Sequence, residues 1–75
     1  MTKGVIPLLA PVALLTDLPE ERLTRGQIGT VVEHLEANGE IAELVEFADT
    51  EGQTYAMVPV HPENLIELHR QNRAA

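Results

Sequence analysis

A small, mainly β domain of antiparallel strands is what this chain predicts, and three observations carry the reading. Gly26 and Gly29 lead straight into the β-branched run Ile28 to Val32, the mark of a tight turn that opens a strand. Asn38-Gly39 stands between two strand-like runs, and a type I′ hairpin turn needs φ > 0 at both central residues. Asp49-Thr50-Glu51-Gly52 supplies another turn before a further apolar run, so consecutive strands form a meander.

The elements follow in order. Pro7 and Pro11 exclude a helix interior and favour extended backbone before them, so residues 1–11 read as an extended apolar arm. Val12 to Leu15 is the first strand. Asp17 to Arg22 is a turn-rich loop with one helical turn after Pro19, tied to the core by Leu18 and Leu23. Ile28 to Glu36, Ile41 to Ala48 and Gln53 to Val60 are the second, third and fourth strands. Pro62 suits the first position of a helix and Glu63 suits its N-terminus. A short C-terminal helix is therefore expected, ending around Gln71, with Leu65, Ile66, Leu68 and His69 on its apolar face and Arg70 and Arg73 at its end. The domain spans residues 12–71, and 72–75 form a frayed tail.

Composition narrows the function classes. The chain has 75 residues, no cysteine, and a formal charge of −7. A chain this short buries only about 60% of its unfolded surface, so a homo-oligomer is the expected way to supplement its core. Without cysteine there is no disulfide or thiolate metal site, which is compatible with the cytoplasmic location expected for it. Val5 to Leu15 is almost wholly apolar, yet it is too short to span a membrane and lacks the flanks of a signal segment. From Gly26 to His69 there is no Lys or Arg, against nine carboxylates. Such a charge repels phosphate backbones, and one Tyr, one Phe and no Trp are a poor supply for stacking bases.

The order Val12-x-Leu14, Asp17-Leu18-Pro19, Leu23-x-x-Gly26-x-x-Gly29-Thr30-Val31-Val32, Val45-Glu46-Phe47-x-Asp49 and Gly52 resembles a bacterial family known as domain of unknown function 4926. The resemblance covers roughly Val12 to Leu65, and its Leu-x-x-Gly-x-x-Gly core is shared with KOW-type barrels. It implies a small SH3-like, partly open β-barrel and brings no catalytic residues. It also implies kinship with small accessory proteins encoded on mobile elements, hence an antitoxin-like or immunity-like partner role.

Strand alternation separates two faces. Val45 and Phe47 point together into the core, as do Ala56, Val58 and Val60, leaving Leu44, Glu46, Tyr55 and Met57 on the other side. Leu44, Tyr55 and Met57 are therefore expected to form an apolar patch, with Glu43 and Glu46 as its acidic rim, binding a basic protein partner. Val5, Ile6, Leu8 and Leu9 of the arm are expected to reach a neighbouring copy. Histidines 34, 61 and 69 show no spacing of a metal site, so no metal or other cofactor is expected; His61 reads as a cap of the strand-to-helix turn and His69 as packing at the helix end. Glu43 and Glu46 read as a solvent face rather than a catalytic pair, and the chain is expected not to be an enzyme. The alternative is a KOW-like nucleic-acid binder working through Arg22 and the Arg25-Gly26 loop.

Overall fold

Residues 5–69 are described by the computed structural model of the chain. They contain five strands, β1 (Pro11–Leu14), β2 (Ile28–Ala37), β3 (Glu40–Ala48), β4 (Thr54–Val60) and β5 (Leu65–Glu67). Together they make one sheet in the order β4-β3-β2-β1-β5, with every neighbouring pair antiparallel. β4 and β5 are its two edges, so the sheet is open and no barrel closes among the described residues.

The meander β2-β3-β4 follows from its turns. Asn38 (φ +54°) and Gly39 (φ +77°) both take the left-handed conformation that a type I′ turn demands. In the second turn Asp49 Oδ1 accepts the backbone N–H groups of Glu51 and Gln53, both at 2.9 Å, so the side chain holds the turn in shape. The loop after β1 also matches its reading. Pro19–Glu21 makes a single 3-10 turn, and the bridged pair Leu18 and Leu23 fastens it, Leu23 being buried.

The expected C-terminal helix is not formed. The chain makes one 3-10 turn, Pro62–Asn64, and then becomes extended as β5. The physical reason lies in β1, whose far edge offers backbone groups that need partners. β5 supplies them in the register Val12↔Glu67, Ala13↔Ile66, Leu14↔Leu65. Leu15 N–H to the Asn64 carbonyl (2.8 Å) and Leu68 N–H to the Pro11 carbonyl (2.9 Å) extend the pairing at both ends. The expected helix end at Gln71, with Arg70 and Arg73, and the frayed tail at 72–75 lie outside the described residues.

One face of the sheet encloses the core: Val12, Leu14, Val31, Val45, Phe47, Val58, Val60 and Leu65 are all buried there. Gly29 is glycine because of close approach. A Cβ at that position would lie 2.6 Å from Val45 Cγ1 and 2.8 Å from the Glu46 carbonyl oxygen. Two register shifts bend the sheet. One, between Val31 and Glu33, leaves Val32 as an extra residue on β2; the other, at Phe47/Ala48, leaves Tyr55 extra on β4.

The described part of the arm folds back onto its own chain. Ala10 N–H donates to the Pro7 carbonyl (3.2 Å), and Leu9 sits in that turn at φ +68°. Leu9 N–H then donates to the Val31 carbonyl, and Val31 N–H to the Ala10 carbonyl. Ile6 and Ala10 enter the core, while Val5, Leu8 and Leu9 stay exposed. Ile6 is therefore corrected from a self-association residue to a core residue, because the open end of the sheet beside Glu43 takes it up.

Candidate functional site

On the outer face of β3 and β4, strand register settles which expected site residues meet. Glu46 lies opposite Met57 and Leu44 opposite Pro59, so Leu44 and Met57 are diagonal neighbours. Met57 is 50% exposed and Tyr55 52%, while Leu44 and Glu46 are half-buried. Tyr55 is the bulged residue. Its ring packs against Phe47, with centroids 6.5 Å apart, and its hydroxyl accepts a hydrogen bond from Gln27 Nε2 (3.0 Å). The Thr54 hydroxyl donates to Glu46 Oε2, holding that carboxylate beside the apolar residues. Leu44, Glu46 and Met57 thus share the outer face, whereas Tyr55, put out of phase by the bulge, packs on the core residue Phe47, which corrects its expected place in the patch.

Glu43 does not join them. It is completely buried on the core face, and this corrects its expected place in the acidic rim. The reason is the alternation that places Val45 and Phe47 inside: Glu43 shares their face, two residues further back. Both carboxylate oxygens are occupied. Oε2 accepts the Ile6 backbone N–H at 3.1 Å, and Oε1 lies 2.5 Å from His34 Nδ1. No described buried side-chain nitrogen or oxygen lacks a partner.

His34 reaches Glu43 only because of the Val32 bulge. Straight alternation from Gly29 and Val31 would bring Glu33 and Leu35 inward; after the bulge Glu33 lies opposite Leu44, and His34 opposite Glu43. The imidazole is about one third exposed, with Nδ1 committed to Glu43. This arrangement fastens the arm to β3 through one side chain. The signal that would have found Glu43 was its phase with Val45 and Phe47; no residue pattern announced His34.

The remaining candidates are scattered. Glu43 and Glu46 point to opposite faces and cannot act on one substrate as a pair. His61 Nε2 is 3.9 Å from Glu40 Oε1, and His69 Nε2 is 3.9 Å from Glu67 Oε1. His61 contributes to the following 3-10 turn through its carbonyl, which accepts Asn64 N–H, and its side chain makes no capping bond. Among the described residues His69 has no helix end to pack against. Among the described residues no group of three or more His, Asp or Glu converges as for a metal ion. An open groove of about 430 Å³ lies where Val5, Ile41 and Pro62 meet Glu40, His61 and Glu63. Arg22 and Arg25 are exposed, and the Arg25 backbone N–H is held by Asp17 Oδ1 (2.8 Å).

No described helix is long and apolar enough to cross a membrane. No curated protein and no solved structure matches the chain. A family model does match residues 8–67, which takes in all five strands and the Val31–Glu33 bulge, and on that match the chain belongs to the domain of unknown function family DUF4926.

Proposed function

We propose that the protein is a non-catalytic interaction module that binds a basic protein partner through the outer face of β3 and β4. Leu44 and Met57 are the apolar anchors and Glu46 is the acidic contact, while Glu43 serves the fold and Tyr55 packs on Phe47. The observation that carries this reading is the pairing of half-exposed Met57 with Glu46 in direct register. An apolar anchor beside a carboxylate recognises a cation flanked by apolar groups, and the net charge of −7 steers such a partner in. An SH3-like curl of the open sheet, an antitoxin-like or immunity-like role and a cytoplasmic setting belong to the same proposal.

The experiment is an NMR titration with two peptides of equal length, one Lys/Leu-rich and one Glu/Leu-rich. The Lys/Leu peptide is expected to shift the resonances of Leu44, Glu46 and Met57, with affinity falling as salt rises. Met57→Ala should weaken it by about fivefold or more. Equal response to both peptides, or shifts centred on the Arg22 to Gly26 loop, would overturn the reading.

A further inference from the structure

Glu46 sits in a row of outward side chains that runs across the sheet. Thr30 of β2 stands opposite it on one side and Met57 of β4 on the other. Thr54, paired with Ala48 beyond the bulge, returns to the same face, and its hydroxyl donates to Glu46 Oε2. Glu33 lies on this face as well, opposite Leu44. Among the described residues neither Glu33 nor Glu46 has a Lys, Arg or His within ion-pair distance. The surface therefore carries carboxylate charge that the described chain does not answer.

We propose that the cation selected here is the ammonium of a partner's lysine rather than the guanidinium of an arginine, and that Thr54 sets this choice. The choice rests on the partner site of β3 and β4 and names the group that enters it. An arginine gains its strength against a carboxylate from two parallel hydrogen bonds, one to each oxygen. At Glu46 the Thr54 side chain occupies the approach to Oε2, so the fork meets one open oxygen, Oε1.

Lysine has no such requirement. Its ammonium is a compact charge whose three donors need not lie in one plane. The Thr54 oxygen, with its hydrogen turned towards Glu46, keeps lone pairs that can accept from that ammonium. Thr30 brings a second hydroxyl on the β2 side of Glu46, unengaged among the described residues. The carboxylate thus has a neutral oxygen acceptor on either side. Met57 covers the apolar stem of a lysine and an arginine alike, so the discrimination falls on the charged head.

The test titrates three peptides into the full chain, identical except that the charged residue is Lys, Arg or Glu. The Lys peptide is expected to bind at least about threefold more tightly than the Arg peptide. Thr54→Val keeps the branched shape and frees both Glu46 oxygens, and should lower that preference by about threefold or more. Thr54→Ser retains the hydroxyl and should keep the wild-type preference. A merely structural role for Thr54 would weaken both cationic peptides alike and leave their ratio where it was. An Arg peptide that binds the wild type as tightly as the Lys peptide overturns the inference, as does a ratio that Thr54→Val leaves unchanged. Should Thr54→Val fail to fold, the wild-type ratio decides alone. Equal binding of both cationic peptides at Glu46 and Met57 spares the partner site and removes only the choice of lysine. If neither binds there, the partner site itself falls and this inference with it.

Discussion

The two faces of this sheet each hold something that belongs on the other. The inner face buries a carboxylate, Glu43, in line with Val45 and opposite Val60; the outer face leaves Ile28 and Ile66 half in water. They differ in how the exception is met. Glu43 is answered within the chain, by Ile6 N–H on one oxygen and His34 on the other. Ile28 and Ile66 have no described layer over them. A buried polar group must find its partners during folding, since an unmet one costs several kcal/mol. Exposed apolar surface carries no such immediate penalty and is free to wait for another molecule. The inner exception therefore has to be met within the fold, and the outer one does not.

Substitutions sharpen the contrast. Glu43→Ala should have the largest effect, a loss of about 3 kcal/mol, because it strands the Ile6 N–H and leaves a cavity beside Val60. Urea unfolding measures it, and Glu43→Gln, which retains an acceptor, should lose visibly less. Gly29→Ala comes next, at about 1–3 kcal/mol, since its Cβ would strike Val45 and the Glu46 carbonyl. The same assay checks it. Ile28→Thr should be the smallest, within about 0.5 kcal/mol. If Ile28→Thr were as damaging as Glu43→Ala, the outer face would be part of the core and the contrast would collapse.

What was legible in the residues was what depends on near neighbours in the chain. Asn38-Gly39 named its own turn type, and alternation placed Val45, Phe47, Val58 and Val60 inside. The β5 segment was not legible, because Leu65, Ile66 and Leu68 suit a helix face and a short strand equally. The bare edge of β1, far away in the chain, decides between them. Glu43 gave two conflicting signals, its phase pointing to the core and its charge to the surface. The bulge that turns His34 towards it leaves no mark in residue type. On the outer face, the phase of Leu44, Glu46 and Met57 was readable from period alone, whereas the bulge that takes Tyr55 out of that phase was not, and Ile28 and Ile66 become neighbours only through β1.

The hydrogen bond from the arm to Glu43 also fixes where along the sheet the arm can rest. The next residue after Ile6 is Pro7, which has no N–H to give. Sliding the arm by one position in that direction leaves the carboxylate without its backbone donor. Sliding it the other way draws Ile6 out of the core and brings Val5 to the carboxylate instead. The proline acts as a stop on one side and the burial of Ile6 on the other, so that an irregular segment with few hydrogen bonds of its own has a single address.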